Sequence, residues 1–249
     1  MDAADAATFS YSLNAITWSD KSGLGHNASN TSSGVGNYIT RTTAAGASSY
    51  STVQFRNNGV FRDQLISLKW TFTPTFVFPF TVFIVFDVIT IIHDGFWFLS
   101  NYFLSSTGGG IMNTAQIFLP NGDSRVTLGQ AGGGINNNSS AYSSNRLNMI
   151  TIQVYKIGST YYSINNLNGT INTTYTTYSG TATLLAQAWF IQMRSQNLST
   201  VGISEYLIYN NNLLTQQQYQ KVEGYLAWKW GINGSLPPLH PYNSAAPTT

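Results

Sequence analysis

The chain has 249 residues, of which only 8% are charged, against roughly a quarter in an ordinary globular domain. Its 11 basic and 9 acidic residues give a formal net charge of +2 and form no runs, which argues against the phosphate contacts that dominate nucleic-acid binding. Cysteine is absent, which excludes disulfides and thiolate chemistry. The length favours a single domain over 1–249, with a C-terminal tail at 235–249.

Short runs of aromatic and β-branched residues recur along the chain, and Gly, Asn and Ser separate them. Such runs predict strands, and many short strands with frequent turn signals predict an all-β sandwich or barrel. The predicted strands lie at 51–55, 81–89, 96–104, 115–119, 125–129, 149–157, 160–164, 188–193 and 203–209.

The longest apolar run, 76–92, falls short of a membrane span and contains Pro79 and Asp87. Proline would break a helix there, and the run is rich in Phe, Val, Ile and Thr, which favour strands. We therefore predict no membrane insertion. The part at 81–89 is apolar on both faces, which predicts a central strand covered on both sides, with a loop or the C-terminal helix as the cover.

The segment 149–157 alternates cleanly between apolar and polar residues. Ile150 and Ile152 share one face, whereas Thr151 and Gln153 share the other. This pattern predicts a strand with one face on the core and the other toward solvent.

A sustained helical periodicity occurs near the C-terminus, over about 216–230. Thr215 and Gln218 form a capping-box signature, and Gly231 stands where the helix should end. One face of this helix repeats at helical spacing and is predicted to pack on the sandwich. Its residues are Tyr219, Val222, Leu226 and Trp230, and Trp18 and Trp228 are also assigned to the core.

Motifs stand at both ends of the chain. The opening reads MDAADAATF, followed by ITWSDKSGLGHNAS at 16–29, and the close reads ISEYLIYNNNLLTQQQYQ, VEGYLAWKWG and LPPLHPY within 203–242. Together they resemble the two ends of laminin-G-like domains in the concanavalin A-like lectin/glucanase superfamily. The resemblance implies an all-β, antiparallel jelly-roll β-sandwich of the concanavalin A-like type with one C-terminal α-helix. It also implies a virion or cell-surface setting. In that family apolar residues usually precede the Asp-Ala-x-Asp opening, so Met1 at this position favours a domain cut from a longer protein.

The superfamily includes glycoside hydrolases, whose chemistry needs two carboxylates flanking the scissile bond. The two glutamates of this chain are Glu205 and Glu223, and no closely spaced E-x-D-x-x-E arrangement occurs. Both match positions that the non-catalytic branch of the family also carries. A structural role is predicted for each, and the protein is predicted not to be an enzyme.

The segment WSDKSGLG predicts a turn in which Asp20 caps backbone amides while Gly23 and Gly25 take positive φ. No cofactor or metal is predicted, because the histidines show no ligand spacing. Calcium stays an open alternative, since Asp and Asn oxygens in loops are its usual ligands. The histidines are His26, His93 and His240, and the candidate calcium ligands are Asp94, Asn121 and Asp123.

A surface rich in hydroxyls and amides suits contact with sugars, so we predict a carbohydrate-binding or adhesion module. Aromatic rings stack on pyranoses, and the Gly/Asn/Ser-rich loops at 105–114 and 131–145 supply amides beside such rings. The predicted partners are glycans or other surface proteins, and the alternatives are a purely structural assembly module and, less favoured, a glycoside hydrolase. The candidate ligand-binding residues are Trp97, Tyr102, Asn113, Asn137, Tyr142 and Tyr161.

Overall fold

The computed structural model describes residues 1–12, 15–30, 39–45, 49–56, 65–70, 78–90, 96–100, 114–119, 125–129, 142–171, 176–179, 190–194 and 200–248. These residues form two antiparallel sheets and one C-terminal α-helix, so the predicted all-β sandwich is confirmed. Every predicted strand is present, with ends shifted by up to three residues wherever the structure describes them.

The first sheet has eight strands and the second has seven, and each strand pairs antiparallel with its neighbours. Across the first sheet the order is β1 (Phe9–Ser12), β2 (Ala15–Trp18), β3 (Ala28–Asn30), β6 (Leu65–Trp70), β14 (Phe190–Arg194), β8 (Phe96–Ser100), β9 (Thr114–Leu119) and β10 (Arg125–Gly129). Across the second it is β13 (Thr176–Ser179), β12 (Thr160–Leu167), β11 (Leu147–Ile157), β7 (Phe80–Thr90), β15 (Thr200–Asn210), β5 (Ser51–Arg56) and β4 (Ile39–Thr43).

The seven-stranded sheet is covered on both faces. Its inner face packs on the other sheet, in a core that includes Trp18 and Phe86. Its outer face packs under helix α1 (Gln216–Lys229), where Phe83 meets Leu226 and Trp230 in a second core. The prediction that β7 is a central strand covered on both sides is therefore confirmed.

The polar face of β11 is not exposed to solvent, so that prediction is wrong. Thr151 and Gln153 are buried beneath the C-terminal part of the chain. The Thr151 hydroxyl donates to Glu223 Oε1 over 2.6 Å, and Gln153 Nε2 donates to the Leu214 carbonyl over 2.8 Å. These side chains are polar because each has a hydrogen-bonding partner in the segment that covers it.

Helix α1 begins and ends as predicted. The Thr215 hydroxyl oxygen accepts from the Gln218 amide, and the Gln218 side-chain oxygen accepts from the Thr215 amide. Gly231, after the last turn, has φ of 65°. Three of the four predicted contact residues are buried, and Val222 is half-buried. Trp228 does not belong to the core as predicted. It is 37% exposed, because it lies on the outer side of the helix, where its ring N–H donates to the Tyr242 carbonyl.

No helix in the described part of the chain is long and apolar enough to span a membrane.

Asp87, in β7, is a fully buried carboxylate. The Ala45 amide donates to its Oδ2 over 3.0 Å, but burial raises the pKa of Asp87 above its ordinary value of 3.8. A Cβ on Gly202 would stand 2.1 Å from Asp87 Oδ1, so only glycine fits opposite this carboxylate.

We expect Asp87→Asn to stabilise the protein at pH 7 relative to the parent. A folded-state pKa above the unfolded one means that the native state binds more protons between the two values, so the parent loses stability as pH rises through that window. The amide does not ionise and avoids this loss. Urea midpoints of both proteins at pH 3.5 and pH 7 should differ more at pH 7, and a difference independent of pH would contradict the argument.

Candidate functional site

The N-terminal segment pairs with the closing strand β15. The Ala3 amide donates to the Ser204 carbonyl over 2.8 Å, and the Tyr206 amide donates to the Met1 carbonyl over 3.1 Å. Asp2 therefore lies directly opposite Glu205. The two end motifs of the sequence meet at this point.

Lys229 joins these two acidic residues, and we call Asp2, Glu205 and Lys229 the ionic cluster. Lys229 Nζ lies 2.8 Å from Asp2 Oδ2 and 2.8 Å from Glu205 Oε2. Trp230 Nε1 also donates to Glu205 Oε2, over 2.6 Å. These contacts fit the structural role predicted for Glu205.

The charges of the ionic cluster stabilise one another. Burial by itself would raise the pKa of Asp2, but the hydrogen bond and charge of Lys229 outweigh it and leave that pKa lowered. Burial likewise would lower the pKa of Lys229, but hydrogen bonds to Asp2 and Glu205 leave it raised. Both groups are therefore charged at neutral pH.

Glu223 forms a second buried contact. It accepts from the Thr151 hydroxyl at Oε1, and its Oε2 lies 3.2 Å from His240 Nε2. Because His240 Nδ1 accepts from the Tyr242 amide, Nε2 carries the proton and donates to Glu223. His240 lies in a loop as predicted, but its ring is buried and holds the C-terminal tail against helix α1.

The turn at 20–26 forms as predicted. The amides of Ser22 and His26 donate to the Asp20 carboxylate over 2.9 and 3.2 Å, and the Ser22 hydroxyl donates to it as well. Gly23 and Gly25 have φ of 80° and 73°. These bonds fix the shape of the turn, which faces the second half of β15.

A cavity of about 490 Å³ separates this turn from β15, and we call it the cleft. Its volume is typical of small-molecule sites, which bind ligands in about 300–1,000 Å³. Its walls combine carboxylate, ammonium, hydroxyl, imidazole and amide groups with apolar side chains. The lining residues are Met1, Asp2, Asp20, Lys21, Ser22, Leu24, His26, Glu205, Tyr206, Leu207, Ile208, Tyr209 and Asn210.

Only one predicted ligand-binding residue has a described side chain. Tyr142 is 9% exposed, and its ring meets Phe86 edge-on with ring centroids 6.2 Å apart. The structure therefore places Tyr142 in the core between the sheets, where no sugar ring can stack on it. This corrects the expectation that its ring faces a ligand, because an aromatic ring in a sandwich usually serves packing.

The other predicted residues remain predictions. Trp97 lies on β8 opposite Gln192, and Tyr161 lies on β12 opposite Lys156, but their side chains fall outside the described part. No metal-binding group of three His, Asp or Glu residues occurs in the described ranges. Outside those ranges lie Tyr102, Asn113, Asn137, His93, Asp94, Asn121 and Asp123, with the loop positions 105–113 and 131–141.

Sequence reasoning missed the cleft. The turn at 20–26 and the lining residues of β15, 205–210, lie 179 positions apart at their nearest, so no local pattern brings them together. One signal was present. Asp2, Glu205 and Lys229 are charged residues in a chain with few charges, and all three lie within the end motifs.

No protein-family model matches this chain, and no curated protein sequence matches it. Solved structures do resemble it. Trypanosoma rangeli sialidase in complex with sialic acid superposes with a TM-score of 0.53 at 10% identity, covering 91% of this chain and 34% of that one. The likeness is one of fold.

Two further solved chains show the same sandwich. The binding domain of botulinum neurotoxin DC in complex with SialylT gives a TM-score of 0.51 at 12% identity, covering 88% of this chain and 50% of that one. The protein described as HCR/D-Sa-GBL1/C gives 0.53 at 12% identity, covering 87% of this chain and 51% of that one. This chain therefore spans about a third to a half of the length of the chains it resembles.

Proposed function

We propose that this domain is a non-catalytic carbohydrate-binding module that serves adhesion in a virion or cell-surface protein. The observation that carries the proposal is the cleft, with hydroxyl, amide and carboxylate groups beside apolar ones. A sugar ring presents hydroxyls around its rim and C–H groups on its faces, so it needs this mixture. Leu24 and Ile208 supply apolar surface, while Ser22 and Asn210 supply hydrogen-bonding groups.

The cleft is also preorganised. One wall is β15, which is hydrogen-bonded to β7 along its length, and the other is a turn fixed by Asp20. Asp2 and Glu205, which line the cleft, are held in place by Lys229. A ligand entering a rigid site loses less free energy to ordering of the protein, which favours binding of small polar molecules.

The comparisons support a sugar ligand at the level of the fold. A sialidase and a neurotoxin binding domain that share this sandwich were solved in complex with sialic acid and with SialylT. The same sandwich can carry different functions, so the proposal of a sugar ligand depends on the cleft of this chain. The low content of charged residues suits a surface protein that contacts neutral glycans.

The positions of the glutamates support a binding role without catalysis. Glu205 holds Lys229 and Trp230, and Glu223 holds Thr151 and His240. A glycosidase needs one carboxyl group free to donate a proton and another to act as nucleophile or base. Glu223 is fully buried and far from solvent, so it serves neither purpose.

We expect the 1–249 chain to bind a defined set of glycans on an array, and Leu24→Ala to weaken that binding about tenfold, as for loss of one apolar side-chain contact. Leu24 is 71% exposed, so its truncation leaves the fold intact. The matched control is Leu239→Ala, which is 96% exposed and does not line the cleft. Equal binding by both variants would place the site elsewhere.

We also expect the parent protein to release no reducing ends from β-glucans or other polysaccharides. The carboxylates near the cleft are engaged in contacts that stabilise the fold. A reducing-sugar assay tests this directly. Release of reducing ends by the parent and by Glu223→Gln, but not by Glu205→Gln, would show hydrolysis in the cleft and contradict the non-catalytic assignment.

One observation favours the alternative of a protein-assembly module. β5 pairs with Thr200–Ile203 of β15, and the N-terminal segment pairs with the residues up to Tyr206. No described strand pairs with that edge at 207–209. Such an edge can add a strand from another protein. A chain that binds nothing on the array but self-associates on size exclusion would favour this role.

A further inference from the structure

We propose that the cleft selects an uncharged or amine-bearing sugar through Glu205 Oε1 and rejects acidic sugars. The inference depends on the proposed carbohydrate-binding function and specifies the chemical class of its ligand.

Glu205 presents one uncommitted oxygen to the cleft. Its side chain is buried, with the whole residue 5% exposed, and it lines the cleft wall. Oε2 accepts from Lys229 and Trp230, whereas no described group donates to Oε1. An ionised carboxylate oxygen can only accept hydrogen bonds, so its partner must be a donor.

A sugar hydroxyl or ammonium group supplies that donor. Hydrogen bonds to an ionised acceptor are shorter and stronger than neutral ones, so one hydroxyl placed at Oε1 would orient the ring. The site is thus built for a ligand rich in donors.

The charges around the cleft oppose an anion. Asp2, Asp20 and Glu205 all line it. Lys21 is the one lysine or arginine among the described lining residues, and its ammonium lies 3.2 Å from Asp5 Oδ2 and 3.5 Å from Asp2 Oδ2.

The remaining cations at the cleft are engaged as well. Lys229 Nζ is held by Asp2 and Glu205 at 2.8 Å each, and the Met1 amino group donates to the Tyr206 carbonyl over 3.1 Å. Asp2 and Glu205 share Lys229, but together with Asp5 and Asp20 the carboxylates at or beside the cleft number four, against three cations in the described part. A sugar carboxylate would therefore meet an excess of negative charge. Repulsion between like charges about 5 Å apart at a protein surface reduces binding by roughly tenfold or more.

The experiment uses pairs of glycans that differ only in an acidic residue. Lactose is compared with 3′-sialyllactose, and N-acetyllactosamine with its sialylated form, together with other neutral and sialylated pairs on an array. We expect the neutral member of each bound pair to bind at least tenfold more tightly than the acidic member.

A variant at the rim of the cleft tests whether charge causes this preference. The quantity compared is the ratio of the affinity for the neutral glycan to the affinity for the acidic glycan. Leu24→Lys places a new cation in the cleft without touching the ionic cluster, so the ratio should fall by at least threefold. Leu239→Lys changes the net charge equally at an exposed position outside the cleft and should leave the ratio unchanged. Glu205→Gln is less informative because Glu205 also anchors Lys229 and Trp230.

Each outcome decides a different statement. Preference for neutral glycans that falls in Leu24→Lys alone supports the inference. Equal or tighter binding of sialylated glycans overturns it and leaves the carbohydrate-binding function standing. A preference that Leu24→Lys does not alter also overturns it, because the selection then lies outside the cleft. Binding of neither glycan class overturns the inference together with the proposed function.

Discussion

Replacing Trp230 with alanine should lower the free energy of unfolding by about 3–5 kcal/mol, the cost of a large core truncation. Trp230 is 1% exposed and fills the space between helix α1 and the outer face of the sheet. Its ring lies 5.8 Å from the Tyr50 ring, and its Nε1 donates to Glu205. Truncation therefore removes both packing and a buried hydrogen bond to a charged group.

Trp228→Ala is the matched control, because it removes the same side chain from the same helix. Trp228 is 37% exposed and donates a hydrogen bond to the Tyr242 carbonyl at the surface. Its loss should cost about 1 kcal/mol, in keeping with one surface hydrogen bond and partial burial. Urea unfolding measures both values. Equal costs would show that Trp230 does not pack against the sheet.

The second large effect should come from Lys229→Met, which keeps the aliphatic stem and removes the ammonium. Asp2 and Glu205 then face each other without the cation that holds them together. Removing one partner of a buried ion pair costs about 3–5 kcal/mol, and the partial exposure of Lys229 reduces this to about 2–4 kcal/mol. Lys221→Met, at an exposed position of the same helix, should cost under about 0.5 kcal/mol.

The ionic cluster should also shape the pH dependence of stability. The lowered pKa of Asp2 adds stability that is present above its ordinary value of 3.8 and is lost as pH falls through the folded-state pKa. The raised pKa of Lys229 adds stability that is present below 10.5 and is lost as pH rises through the folded-state pKa. In Lys229→Met, a plot of the urea midpoint against pH should fall less steeply on both the acid side and the alkaline side. An unchanged profile would mean that other groups govern it.

Local patterns predicted nine of the strands, and the helix from its caps and periodicity. They missed β2 and β6, although both carry apolar residues. They also missed strands such as β3 (Ala28–Asn30) and β4 (Ile39–Thr43), which are short and largely polar. These strands form because neighbouring strands offer backbone partners, and sequence composition does not reveal that. The polar face of β11 was misinterpreted for a related reason. A face toward solvent and a face beneath a helix with hydrogen-bonding partners give the same alternation.

The candidate site was harder to predict than the fold. The turn at 20–26 followed from its own residues, because Asp20 and two glycines determine it locally. The cleft depends instead on which distant strand faces that turn. Residue type alone does not distinguish an aromatic residue that binds sugar from one that packs in the core. Tyr142 was expected to bind sugar, but it is buried in the core.

The ionic cluster also constrains the order in which the chain can fold. Its members Asp2 and Lys229 are separated by 227 positions, so a chain emerging from the ribosome cannot complete the cluster until the helix near its far end has been made. Contacts of such long sequence separation form slowly, because a large loop must close first. Asp2 and Glu205 therefore stay without their shared cation until Lys229 has been made. A nascent chain ending before residue 229 should be cleaved by protease near its first residues, whereas the finished domain should resist.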